Sequence, residues 1–208
     1  MQRVIDYFYT HASPWAYLGH RAFVELADRR EYAVRFRPVS LTTVFAETGG
    51  LPLAKRHPVR QAYRLIELQR WRAPRNLPLT LQPAYFPVNP DLADRIAVLL
   101  AMDGGPVVDY SQAVFEATWV EERDIASEAV QAAILDGLGL AGTDVIARAA
   151  EKSVVARYME NQADAIGGGV FGSPSYVLNG EVFWGQDRVE HVDHALATRR
   201  GPFFADMA

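Results

Sequence analysis

The chain holds no cysteine among its 208 residues. That excludes a structural disulfide, a thiolate metal site and a dithiol redox cycle carried by the protein itself, and it fits a reducing cytosol. No apolar run approaches the roughly 20 residues needed to cross a bilayer. The start of the chain, Met1-Gln2-Arg3-Val4-Ile5-Asp6-Tyr7, lacks the apolar stretch and cleavage site of a secretory signal, so the expectation is a cytoplasmic protein with no membrane partner. Excess positive charge is also missing. The net charge is −4 and no basic stripe runs along the chain, which leaves no reason to expect nucleic-acid binding. Histidine is sparse, and His57, His191 and His194 have no supporting ligands at metal spacing, so no metal is expected. What is present is ordinary for a soluble domain: half the residues are hydrophobic and 22% are charged. The length suffices for a proper core, as one domain or as two interleaved ones.

The pattern of elements is more specific. Val4 to Tyr9 is aromatic and β-branched and predicts a strand buried on both faces. Ser13 suits the N-cap of a following helix and Pro14 its first turn, with Leu18, Ala22 and Leu26 on one face. Val34 to Val39 alternates as a second strand, with Pro38 ending the ladder or lying at an edge. This β-α-β spacing implies parallel strands and a right-handed crossover. From about residue 42 to 165 the periodicity turns helical, over His57 to Trp71, Leu92 to Met102, Tyr110 to Val120, Ile125 to Leu138 and Asp144 to Ile166, with Thr143-Asp144 as a cap for the last. Pro74 to Pro90 contains five prolines and predicts an extended surface loop. Ser175 to Leu178, Asn179-Gly180 and Glu181 to Trp184 form a strong hairpin signal, and a final helix is expected from about Asp187 to Thr198. The economical architecture is a β-α-β half and a β-β-α half (residues 1–42 and 166–208) interrupted by a helical insertion (residues 43–165).

Two distant segments then draw together, Ala12-Ser13-Pro14-Trp15 after the first strand and Gly172-Ser173-Pro174-Ser175 before the hairpin. In a thioredoxin-like fold these frame a sulfur-handling site, whose redox members carry Cys-x-x-Cys where this chain begins with Ser13. A serine at an N-cap ordinarily satisfies a backbone N–H, contributing about 1 kcal/mol. Its place at the carboxyl end of a central strand, where ligands of open α/β sheets collect, favours a site instead, and a helix N-terminus attracts an anion such as a bound thiolate. Ser173-Pro174 reads either as an ordinary trans proline or as a cis bond that turns the preceding N–H and C=O groups toward an extended peptide ligand. Asp187 either caps a helix or receives an ammonium group, with Gln186 beside it for a carboxylate. Among Lys55, Arg56, Arg60 and Arg64, Arg60 is the choice for a ligand carboxylate, against a plain solvated face. Trp15, Trp71, Tyr85 and Phe86 are either core or the wall of an aromatic pocket; His11 is a polar wall of the cleft or simply exposed.

Taken together, Ser13-Pro14-Trp15-Ala16-Tyr17-Leu18, Leu68-Gln69-Arg70-Trp71, Phe86-Pro87-Val88-Asn89, Gly169 to Pro174 and Phe183 to Arg188 resemble the 2-hydroxychromene-2-carboxylate isomerase family, sister to kappa-class glutathione transferases and DsbA-type thiol oxidases. The resemblance covers nearly the full chain. It implies an α/β, thioredoxin-like fold with a large all-helical insertion and reduced glutathione as cofactor. Ser13 would hydrogen-bond the thiolate, the backbone of Phe171, Gly172, Ser173 and Pro174 would clamp the tripeptide, and Gln186 and Asp187 would recognise its γ-glutamyl group. Asn89 would join the substrate pocket, the substrate would be a small aromatic molecule, and the chain would pair as a homodimer. A lysine usual in the family near the start of the first insertion helix is replaced here by what looks like Arg60, with Lys55 nearby. The implied activity is cis-trans isomerisation of an aromatic unsaturated keto acid. Two alternatives stand beside it: a kappa-like transferase, told apart by a stable conjugate, and a non-catalytic binding module, told apart by calorimetry with reduced glutathione.

Overall fold

The computed structural model describes residues 3–205. Met1, Gln2 and residues 206–208 lie outside it, and with them the first part of the N-terminal reading and the outer ends of the segments 1–42 and 166–208. Four strands form one sheet in the order β2-β1-β3-β4: β1 (Val4–Tyr9), β2 (Ala33–Pro38), β3 (Ser175–Leu178) and β4 (Glu181–Trp184). β1 runs parallel to β2, from Val4 opposite Ala33 to Tyr9 opposite Pro38, and antiparallel to β3, with Tyr7 opposite Tyr176. Pro38 closes an edge strand, where its missing N–H breaks no ladder. Val39 N–H resumes the bonding to Tyr9 O at 2.8 Å. In the β3–β4 turn Asn179 and Gly180 both take positive φ, +53° and +86°, the mirror-image turn whose twist matches that of the strands.

Helix α1 (Pro14–Arg29) returns the chain from β1 to β2 and lays Ala16, Phe23, Leu26 and Ala27 into the core. The core is aromatic: the Tyr7 ring stacks on Tyr9 at 4.5 Å and on Tyr176 at 5.5 Å, with Phe23 4.2 Å from Tyr176. Gly19 lets α1 approach the opposite half of the chain. A Cβ there would lie 2.8 Å from Gln186 Cβ and 2.9 Å from the Tyr176 hydroxyl. A mid-helix glycine costs about 1 kcal/mol against alanine, so the position is decided by packing.

The helices between the halves are α2 (Leu41–Thr48), α3 (Pro58–Arg75), α4 (Asp91–Asp103), α5 (Val107–Trp119), α6 (Glu128–Gly137), α7 (Gly142–Arg148) and α8 (Lys152–Gly167). A second core of Ile96, Leu99, Val114, Ile125, Leu135 and Val154 holds most of them. Helices α2 and α8 run across positions 42 and 165. A single 3-10 turn, Gln186–Arg188, precedes the last helix, α9 (Val189–Thr198).

Several expectations need correction. The stretch from Asp144 to Ile166 is two helices. Thr143-Asp144 does not cap either of them, because the Gly142 N–H is taken by Asp136 Oδ1 at 2.9 Å and the helix already starts there. The helical pattern at Ile125 begins later, at Glu128. Pro74 lies in the last turn of α3, and the loop that follows is pinned rather than laid across the surface, with Leu79 and Val88 buried. Prolines remove donors but not acceptors: Pro78 O accepts from Tyr17 OH at 2.8 Å, Leu79 O accepts from Arg72 at 2.7 Å, and Thr80 N donates to Trp119 O at 2.7 Å.

Two stability experiments follow from the packing. Gly19→Ala should cost about 1–3 kcal/mol through overpacking, lowering the melting midpoint by about 2–4 °C per kcal/mol in a chain of this size; a stabilised variant would refute the close approach. Burial pulls the His20 imidazole from 6.5 down to about 4. The unfolded chain therefore takes up a proton between those pH values that the folded chain refuses. Stability should fall by roughly 3 kcal/mol as pH drops through that window, and urea midpoints measured from pH 7.5 to 4 should show a slope that His20→Gln flattens.

Candidate active site

The Ser13 hydroxyl ties the two halves of the sheet region together. Ser13 is the N-cap of α1, in extended backbone (φ −98°, ψ 114°), and its Oγ accepts from Ala16 N at 3.2 Å. The same Oγ donates its proton across the fold to the carbonyl of Ser173 at 3.1 Å. Both serines are buried, and the Ser173–Pro174 bond is cis. Ser173 Oγ in turn accepts from Thr10 N at 3.2 Å, and Thr10 O accepts from Ser13 N at 3.1 Å. The loop after β1 and the proline segment before β3 thus close a small ring of hydrogen bonds around the start of α1.

The insertion holds this loop from the other side. Asp94 on α4 is fully buried, and its carboxylate accepts from Thr10 Oγ1 at 2.7 Å, from His11 N at 3.0 Å and from His11 Nδ1 at 2.7 Å. Tyr158 OH on α8 donates to it at 3.4 Å. The His11 carbonyl accepts from the indole N–H of buried Trp119 at 3.3 Å. His11 is therefore neither a wall of the cleft nor exposed: it has no solvent exposure, and its ring stands against Tyr9, Tyr110 and Phe115 with Nε2 unpartnered. The reason is Asp94, a carboxylate that cannot be buried without donors and that draws the imidazole inward. Asp94 itself carried no signal in the sequence beyond its place in an apolar helix.

On the proline side, the N–H groups of Phe171, Gly172 and Ser173 have no protein acceptor among the described residues. Gly172 is required here, since a Cβ would lie 2.2 Å from the indole nitrogen of Trp184. Phe171 packs on that indole at 4.7 Å, and both rings are partly exposed. Gln186 is buried, and Arg75 at the end of α3 grips it twice, Nε to Oε1 at 3.0 Å and Nη2 to the backbone carbonyl at 3.1 Å. Its oxygen is therefore already engaged with protein. Asp187 is half-buried and paired with Arg188 at 2.5 Å.

Trp15, Trp71 and Phe86 each pack, partly buried, against the aromatic core, and Phe86 touches Trp119 at 5.2 Å. The Phe86–Pro87 bond is also cis, which sequence reading missed. Tyr85 is exposed. Asn89 is exposed as well, and its Oδ1 accepts from Asp91 N at 3.1 Å in a local turn just ahead of α4. Arg60 is exposed on α3 and pairs with no carboxylate among the described residues. A surface concavity of about 410 Å³ between Arg72 and Leu79 is not lined by Ser13 or the proline segment.

A parallel β-α-β unit joined to a β-β-α unit, a helix N-cap facing a cis-proline and a helical insertion between them define a thioredoxin-like fold of the DsbA type. The profile of the DsbA-like thioredoxin domain matches residues 4–197, and the chain belongs to that family. It is 26% identical over 196 residues to 2-hydroxychromene-2-carboxylate isomerase of Pseudomonas putida, covering 93% of this chain and 94% of the relative. It is 23% identical to glutathione S-transferase kappa 2 of Caenorhabditis elegans over 94% of this chain and 92% of that one. A solved 2-hydroxychromene-2-carboxylate isomerase superposes with a TM-score of 0.83 at 25% identity, covering 94% of this chain and 95% of the other. No helix among the described residues is long and apolar enough to cross a membrane.

If Asp94 braces the loop, Asp94→Ala should strip the Thr10 hydroxyl and both His11 donors of their acceptor and cost about 3 kcal/mol or more in urea unfolding. A loss under 1 kcal/mol would show that the loop holds itself.

Proposed function

We propose that this chain is a glutathione-dependent isomerase acting on an aromatic unsaturated keto acid of the 2-hydroxychromene-2-carboxylate type. The observation that carries the reading is Ser13: a buried N-cap hydroxyl aimed at a cis-proline segment, in a chain without cysteine whose near-full-length relatives include isomerases of that name. The chemistry that glutathione would supply at this site is a thiolate able to add reversibly to the alkene, so that the double bond would be single for the time needed to rotate.

The residues of this chain provide the setting. The Ser13 proton is directed at Ser173 O over 3.1 Å, longer than a good O–H···O bond, so little is lost when it turns to a sulfur anion. The N-terminal N–H groups of α1 add a favourable field. Holding a thiol two pH units below its usual titration corresponds to about 2.7 kcal/mol, within reach of one charge-assisted hydrogen bond and a helix terminus. The free N–H groups of Phe171, Gly172 and Ser173 suit a peptide ligand running alongside them. In this reading the half-buried Asp187 takes the γ-glutamyl ammonium, Arg60 a carboxylate, and Trp15, Trp71 and Phe86 the aromatic substrate. Arg75, through Gln186, sets the angle at which that recognition turn meets α1.

The kappa transferase relative supports a second reading on the same site, in which the thiol stays attached. Mass spectrometry and NMR of the products separate them, since an isomerase returns glutathione unconsumed. Ser13→Gly tests the shared site cleanly, because glycine caps a helix nearly as well as serine. Turnover should fall about 100-fold, the equivalent of about 2.7 kcal/mol, while the melting midpoint moves by about 1–2 °C. Undiminished turnover, or turnover that needs no glutathione, would overturn the assignment.

A further inference from the structure

Among the described residues, Arg64 is the partly buried arginine that has neither a carboxylate nor any other protein acceptor. The contrast is consistent across the fold. Arg30 pairs with Asp193, Arg37 with Asp6 and Asp164, Arg95 with Asp91, Arg123 with Glu121 and Arg200 with Glu181. Arg56, Arg72 and Arg75 donate instead to Leu51 O, Leu79 O and Gln186. Arg64 has only the ring of Phe86 beneath its guanidinium, 5.2 Å from the centroid. Burial and the neighbouring Arg56 push its pKa down to about 10, which means that the charge is held where it is poorly compensated.

The ring Arg64 lies over leads back to the candidate site through two contacts. Phe86 touches Trp119, and Trp119 donates to the backbone of His11, two residues ahead of Ser13. Trp15, Trp71 and Phe86 pack on the same aromatic cluster. A guanidinium over an aromatic ring keeps its N–H edge free, and that edge matches a carboxylate in a bidentate pair. Arg60, by contrast, is exposed, where such a pair is worth little.

We propose that Arg64 binds the carboxylate of an aryl-bearing acid substrate, with its aromatic part against Phe86 and Trp71, and so selects acids over neutral analogues. The proposal rests on the isomerase reading for its substrate class, and a binding experiment keeps the two apart. The probes are benzylidenepyruvate, its methyl ester and reduced glutathione, each titrated singly into the full chain and followed by tryptophan fluorescence and calorimetry. The wild-type chain should bind the acid about tenfold tighter than the ester. Arg64→Gln should abolish that preference and leave reduced-glutathione affinity within about twofold; Arg64→Lys should restore part of it. A preference that survives Arg64→Gln, or a wild-type chain that binds neither probe, overturns the proposal, as does a loss confined to glutathione, which would assign Arg64 to the tripeptide. Absence of glutathione binding by the wild-type chain sinks the isomerase reading but not the acid preference.

Discussion

A carboxylate with no exposure to water must be met by donors, and the way Asp94 is met organises the centre of this protein. The residue comes from α4, in the insertion, yet three of its four partners are on Thr10 and His11, at the carboxyl end of the central strand; the fourth is on α8. The insertion is therefore not merely packed beside the sheet. It supplies the acceptor that holds the loop leading into α1, and Trp119 supplies a donor to the same loop. The start of α1 is thereby held in place before any ligand arrives, which is what a site on a helix N-terminus needs.

The opposite face of that helix start is held by different means. Ser13 and Ser173 satisfy each other's segments, and Gly172 accepts the indole of Trp184 in place of a side chain. Gly19 lets α1 sit against Gln186, and Arg75 locks Gln186 from the insertion side. Three stretches far apart in sequence, around residues 19, 75 and 186, so become neighbours through close approach rather than through a shared apolar seam. Small residues at these contacts permit it.

The fold by itself leaves the chemistry open, since scaffolds host many reactions. DsbA-type frames are suited to thiols because a helix N-terminus stabilises a sulfur anion. With no cysteine in the chain, the frame has no thiol of its own, and what it presents instead is one hydroxyl, a row of backbone N–H groups and a set of cations. Arg64, which among the described residues lacks an acceptor where every other partly buried arginine has one, is the most conspicuous of those cations.

Much of this was legible in the chain order. The β-α-β unit, the Asn-Gly hairpin and the N-cap at Ser13 are local signals, set by side-chain periodicity, proline and turn chemistry over a few residues, and each appears where the residues call for it. Helix ends in the insertion were less legible, because Gly142 starts α7 on Asp136, six residues back at the end of the preceding helix, which no capping motif announces. The burial of His11, the grip of Arg75 on Gln186, the local turn made by Asn89 and the isolation of Arg64 were not legible at all. The sequence alone determined the elements, their order and the absence of a resident thiol, since those follow from residue type and spacing. Which polar groups meet, and which cation is left without an anion, was decided only in the tertiary structure, because hydrogen bonding and desolvation depend on distances between segments a hundred residues apart.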